Sequence, residues 1–495
     1  MLSAVEKLVK DPGSELVLGL VAPVGAHLDS FVEVLEDCLR AYRYRQRVVR
    51  VSDLFRALTE PAVAAATSEY ERISRHMDLG NQLRTRSGAA EVLAVWAMSD
   101  INAIRRNEAS GGRIPSTAWT IRSIKHPDEV RALRAVYGQG FFLIGLAVPD
   151  EVRRAYLRRK GLKDGEIDEL IRRDRSESDV RGQHMREAFE LADVFIPHGG
   201  ANSAQAAVER FLRLVFGKPV EPPTQDEQAM FLAYAASTRS ADLSRQVGAV
   251  LWKQRLGVVA TGCNDVPRAG GGLYDERGTD QRDYVRGGDA NEVQKEQIAK
   301  EIATKVCAEL GTRGIEAPSD TVARACRATA LFDITEFGRA VHAEMDVILA
   351  ASRAGTSTLD ATLYCTTFPC HNCTKHIVAS GIARVVYVEP YPKSQAEQLH
   401  GDAISLGPGG GGDLPTAGRV SYEPFVGVGP RRYLDLFSMR VGDGYALRRK
   451  ASTGLASWDE GDACVRVSMP PTSYLDREQQ FAKMSEDLLT KEPAP

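Results

Sequence analysis

The stretch TLYCTTFPCHNCTKHI, residues 362–377, decides how the second half of the chain is read. TLYCTTF predicts a strand, and the residues from Cys370 on predict a helix. Cys370 and Cys373 stand three positions apart, directly after Pro369. Alone, such a pair fits a disulfide, a redox couple, half of a structural zinc knuckle, or part of a catalytic metal site. The choice depends on which other residues reach it. VHAEMDVILAA (341–351) supplies His342 and Glu344, with Cys370 following His342 by 28 residues. The His-Ala-Glu segment is expected to open one helix within 333–355, closed by Gly355. The chain then returns as the 362–368 strand and opens a second helix at Cys370. Two helix N-termini meet around one point, and their partial positive ends favour thiolate and hydroxide.

One His and two Cys supply three ligands, which leaves the fourth position of a tetrahedral zinc for water. H-x-E followed by P-C-x-x-C is the pattern in which zinc activates that water for attack on C4 of cytosine or C6 of adenine. Glu344 is then the proton shuttle. A thioredoxin-like context, which a redox pair would need, is absent. A closed structural site would need a fourth ligand, for which His371 and His376 are the nearby candidates. Cys365, on the preceding strand, reads as a buried small residue, and Cys307 and Cys326 have no evident partners.

Composition narrows the class. The chain has 495 residues, 43% hydrophobic and 26% charged, and a net charge of −3. That is ordinary globular composition, long enough for two domains and without the global basicity of a nucleic-acid binder. Eight cysteines form no disulfide framework and suit a reducing cytoplasm. The N-terminus lacks the order of a signal peptide, and no apolar run of about 18 residues predicts a membrane span.

Residues 15–220 alternate strand and helix. ELVLGLVA (15–22), RVVRVS (47–52), FFLIGLAVP (141–149) and ADVFIPH (192–198) read as strands, and 27–42 as a helix. This is the pattern of a doubly wound parallel α/β domain. Residues 153–179 read as a charged helical hairpin, and the Pro-rich 218–228 as a boundary. Beyond it come a helix (229–238), strands 246–253 and 256–263, a polar insertion to about 335, and a strand at 383–391. LGPGGGGD (406–413) is a flexible loop, and the tail beyond about 475 a charged helix. The expected domains are 1–225, 226–445 and a C-terminal extension, 446–495.

Several stretches carry a resemblance. VHAE, YCTTFPCHNCTKHIVASGIARVVYVEPY and STRSADLSRQVGAVLWKQRLGVVATGCNDVP (237–267) resemble the deoxycytidylate deaminase branch of the cytidine deaminase superfamily. The resemblance implies that Asn264 bonds the sugar or base and that Arg245 meets the substrate phosphate. Asp265 departs from the family's small residue at that place. EPYPKSQAEQLH (389–400) and YEPFVGVGPRRYLDLF (422–437) are similar to bacterial anti-phage deoxycytidylate deaminases, which join a P-loop kinase-like domain to a cytidine-deaminase α/β/α sandwich. This implies zinc, deamination of dCTP and dCMP, a homo-oligomer, and a regulatory nucleotide or RNA. In that reading Tyr391 and Lys393 contact base or phosphates, and Arg431 and Arg432 either bind phosphate or are solvated. The insertion is a candidate effector site. The rival readings are a housekeeping dCMP deaminase, a nucleic-acid deaminase, and a scaffold with a dead deaminase domain.

The first domain's loop is a worn version of the P-loop. In APVGAHLDS (22–30), Ala22 stands for the first Gly, His27 for the second, Leu28 for the Lys and Asp29 for the Ser/Thr. Gly25 and the helix start still offer backbone N–H groups to an anion. Without the Lys and the Mg²⁺-binding hydroxyl, no kinase activity is expected. Arg153, Arg154, Arg172 and Arg173 are either lid arginines or a charged surface.

Overall fold

The computed structural model describes residues 10–53, 66–175, 182, 184–199, 201–315, 318–391, 394–407, 418–452, 454–469 and 471–490. Lys393 and residues 408–413 of the glycine-rich loop, both singled out by sequence, lie outside these. The chain divides into two compact units, one of residues up to 227 and again from 424, the other of the stretch between. The break at 227/228 falls in the Pro-rich segment. The expected divisions at 445/446 do not appear, because residues 424–495 belong with the first unit.

The first unit is built on β1 (Leu16–Val21), β2 (Arg45–Arg50), β3 (Thr117–Arg122), β4 (Phe141–Ala147) and β5 (Val194–Pro197). They run in the order β5-β4-β1-β3-β2, all parallel. Every residue of β1 is buried, as a strand covered on both faces requires. Helix Leu28–Ala41 buries Phe31, Leu35 and Leu39 on one stripe against this sheet. TAWTIR, β3, was not expected from sequence: it is short, and Thr117, Thr120 and Arg122 break up its apolar run.

The late part of the chain completes this unit. Strand Gly427–Val428 adds antiparallel to β5. The tail forms helix Pro471–Thr490, held by a buried polar network rather than lying free as a charged extension. Glu15, Arg105 and Glu478 have fully buried side chains, with Arg105 Nη1 2.6 Å from Glu15 and its Nε 3.1 Å from Glu478. Trp119 donates to Glu15, Tyr137 to Glu478, and Tyr474 to Glu15. Burial pushes the Glu478 carboxyl up to about 7, against the pull of Arg105. Arg432 is likewise neither solvated nor free for phosphate. It is 4% exposed, bonds Gln139 and the Phe141 carbonyl, and lies 4.4 Å from the Phe142 ring centroid. Arg431 remains exposed.

The second unit carries a mixed sheet whose central strands are β6 (Gly248–Lys253), β7 (Gly257–Cys263), β8 (Thr362–Thr367) and β9 (Arg384–Glu389). The pairing runs β9-β8-β6-β7, with β8 parallel to β9 and antiparallel to β6. Helices Ala343–Arg353 and His371–Ala379 pack on it through Val347, Ala351, Cys373 and Ile377. Gly248 and Gly262 permit this packing. A Cβ at 248 would stand 1.9 Å from the Ala233 carbonyl, and one at 262 would stand 2.8 Å from Asp346. The insertion folds as helices, the longest Ala290–Thr312, and an isolated bridge between Asp265 and Val341 closes its neck. The expected helix from 333 starts only after His342, since 330–333 is a 3-10 turn and the segment between is irregular.

Candidate metal centre and its cavity

His342 is the N-cap of helix Ala343–Arg353, and Cys370 is the N-cap of helix His371–Ala379. Helix His371–Ala379 follows β8 directly, while Ala343–Arg353 is entered from an irregular segment whose Val341 bridges Asp265. His342 Nδ1 lies 3.4 Å from Cys370 Sγ and 3.3 Å from Cys373 Sγ. The three donor atoms all lie within 4.8 Å of one another. Zinc bonds of about 2.3 Å to sulfur and about 2.0 Å to nitrogen, tetrahedrally arranged, separate neighbouring donors by roughly 3.5 Å. The spacing therefore fits zinc. Among the described residues, no other cluster of His, Cys, Asp or Glu has this form, and neither His371 nor His376 joins it. No disulfide links the cysteines.

The charges are arranged for a cation. Hydrogen bonding from Cys373, then from His342, draws Cys370 down to about 4, and the Cys370 contact draws His342 up to about 9. Cys373, sharing its proton with Cys370 in a buried place, is pushed up. Glu344 is 5% exposed, and burial raises its carboxyl above the ordinary range. Cys365 is fully buried in β8, and burial pushes its thiol up as well, in keeping with a packing residue.

His342, Glu344 and Cys370 line a cavity of about 370 Å³, within the usual size for a small-molecule site. Arg245, Asn264 and Tyr391 line it too. Arg245 is about half exposed, 4.0 Å from Glu389, with its guanidinium 5.5 Å from the centre of the Tyr391 ring. Asn264 does more than face the cavity. Its Oδ1 accepts from Val247 N at 2.7 Å, and its Nδ2 donates to the Arg245 carbonyl at 2.9 Å, so its amide shapes the loop that presents Arg245. The insertion contributes Asn291, Lys295 and Arg339 to the lining, which no spacing rule in the sequence pointed to.

A family model for the cytidine and deoxycytidylate deaminase zinc-binding region matches residues 223–389. A deoxycytidylate deaminase of Mycobacterium phage D29 is 30% identical over 165 residues, 33% of this chain and 94% of that protein. The chain belongs to the cytidine and deoxycytidylate deaminase family. Within this deaminase-family chain a shorter stretch is similar to a deoxycytidylate deaminase of Enterobacteria phage T2, 47% identical over 55 residues. That match spans 11% of this chain and 29% of the T2 protein, less than a third of its length. A solved dCMP deaminase from cyanophage S-TIM5 aligns over 40% of this chain and 95% of its own at 17% identity, with a TM-score of 0.24, too low to add to the assignment.

The loop after β1 is arranged in the opposite way. Val24 N donates to Asp174 Oδ2 at 2.7 Å, and Lys125 Nζ donates to Asp174 Oδ1 at 2.6 Å and to the Ala22 carbonyl at 2.7 Å. Asp174 is fully buried. Asp29 pairs with Arg122 at 2.6 Å, and that bond holds its carboxyl below the usual range. Gly25, at φ +85°, makes the turn, His27 lies against the Tyr156 ring, and Leu28 packs toward the core. Of the arginines singled out, Arg153 and Arg154 pair with Asp150, Arg173 pairs with Asp78, and Arg172 is exposed.

Proposed function

We propose that the chain is a zinc-dependent hydrolytic deaminase of free deoxycytidine nucleotides, converting dCMP or dCTP to the uracil form. The observation that carries this is the meeting of His342, Cys370 and Cys373 beside a buried Glu344 at a cavity of nucleotide size. The three ligands fit zinc, which when bound polarises water for attack. Glu344 takes the proton of the attacking water and passes it to the ring nitrogen. A C–O bond forms at C4 of the cytosine. Glu344 then takes the proton of the new C4 hydroxyl and delivers it to the amino group, C4=O forms as the C4–N bond breaks, and ammonia leaves. Burial raises the Glu344 carboxyl above its ordinary range, which favours its holding the proton between the two transfers. In this reading Arg245 meets the substrate phosphate, supported by its place in the cavity lining, with Tyr391 beside it and Asn264 holding its loop.

Relatives bearing the name deoxycytidylate deaminase support the choice of a free deoxynucleotide. The parallel order β2-β3-β1-β4-β5 supports a P-loop kinase-like ancestry for the first unit, and its filled loop supports a regulatory rather than a catalytic role. In this reading the protein depletes deoxycytidine nucleotides in the cytoplasm as an anti-phage defence, as a homo-oligomer, under control of a nucleotide or RNA. Lys393 belongs to the proposed substrate contacts by resemblance alone. Incubation with dCMP, dCTP, CTP and a cytosine-containing single strand, followed by chromatography, tests the substrate. Conversion of the strand alone would instead favour a nucleic-acid deaminase.

A further inference from the structure

Asp265 stands where the family's small residue was expected, and its surroundings give the reason. Its side chain is 3% exposed. Oδ1 accepts from Val266 N at 2.8 Å, while Oδ2 accepts from Ala241 N at 3.3 Å and from Arg282 Nη1 at 3.4 Å. Its backbone pairs both ways with Val341, the residue before the metal ligand His342. One residue therefore joins the 240–247 loop, the start of the insertion, Arg282 within it, and the irregular segment leading into the metal centre.

Each joined piece bears on the cavity. Ser240 Oγ donates to the Asn264 carbonyl at 2.6 Å, Asp242 accepts from the backbone of Ser244 and Arg245, and Asn264 bonds residues 245 and 247. This is the loop that presents Arg245. Arg282 is itself gripped by Asp280 at 2.7 Å, so its guanidinium spans two carboxylates. Next to it, Asp283 pairs with Arg339 at 2.5 Å, and both line the cavity. A buried carboxylate whose cation is removed is strongly destabilised, so the Asp265–Arg282 pair is a joint that stays closed only while both partners are present.

We propose that Asp265, through Arg282, is a positioning residue: it ties the 265–341 insertion to the loop bearing Arg245 and so sets how tightly the cavity holds the phosphate-bearing end of its nucleotide. The proposal rests on the deaminase reading for its ligand, but the joint itself is read independently. Asp265 touches neither the metal ligands' side chains nor Glu344, so its loss should weaken binding and leave the chemical step alone.

The test uses the full chain with Asp265→Asn, Arg282→Gln and the double variant. Backbone hydrogen exchange over residues 240–247 should quicken about 10-fold in each single variant, with zinc retained. KM for dCMP and the dissociation constant of the product dUMP should each rise about 10-fold, with kcat within about 2-fold. The double variant should be little worse than either single one, not the roughly 100-fold expected of independent sites. Unchanged exchange in 240–247, or a change in melting temperature with KM and dUMP affinity unmoved, would overturn the proposal. Wild-type protein that neither binds dUMP nor converts dCMP would sink the substrate reading instead, while the exchange data still decide the joint.

Discussion

Two helix-opening segments in this chain invite a charged ligand, and they have been treated differently. Around His342 and Cys370, donor atoms crowd within van der Waals reach and a carboxyl is buried beside them, an arrangement that is costly without a cation. Around residues 22–29, each charge is already answered: Lys125 and Val24 N by Asp174, Arg122 by Asp29. A working site keeps groups whose cost only a ligand relieves. The loop after β1 fills its own cradle, as the proposed reading of a retired site requires. Strained chemistry, rather than motif likeness alone, separates the two.

The largest expected effect breaks the first site. Glu344→Gln should cut deamination by about 10³-fold or more while zinc stays bound, because a lost proton shuttle is worth about 10²–10⁴ and this one serves more than one transfer. A smaller loss would mean that another group moves the proton. Next, Cys373→Ser or exhaustive chelation should remove the metal, abolish activity, and lower the melting temperature of the second unit. Elemental analysis and scanning calorimetry read both, and full metal content in the serine variant would speak against the ligand set.

The second comparison partner gives a different result. Asp174→Ala strands the Lys125 ammonium and the Val24 N–H, and should cost roughly 2–4 kcal/mol in a denaturant titration of the first unit. Neither wild type nor variant should turn over ATP, and turnover that persists in a Glu344 variant would contradict the retired-loop reading. The mildest effect comes from Glu478. Its carboxyl titrates near 7 when folded against about 4.5 when exposed, so the folded state holds a proton that the unfolded chain has lost. Stability from this group is fully present below pH 4.5 and is lost as pH rises through about 7. Glu478→Gln should flatten that slope in melts taken between pH 5 and 8.

Much of the metal centre was legible because its parts lie on short, periodic elements. His342, Glu344, Cys370 and Cys373 are fixed by two helix starts, and a spacing rule reaches them. Asn264 was found as a position, but its bonds to residues 245 and 247 were not, since loop geometry leaves no period to read. The insertion's contribution to the cavity was hidden for the same reason. In the first unit, strands β1 and β4 announced themselves as apolar runs, whereas β3, TAWTIR, did not. The tail beyond about 475 read as a charged helix, with no sign of its docking, because Glu478 is answered by Arg105, 373 positions earlier.

The most direct measurement is to incubate the purified 495-residue chain with dCMP and dCTP, alongside Glu344→Ala and a chelated sample. A zinc deaminase of free deoxynucleotides gives dUMP or dUTP with release of ammonia, lost in both controls. No uracil product from zinc-loaded protein, or product that survives Glu344→Ala, would contradict it.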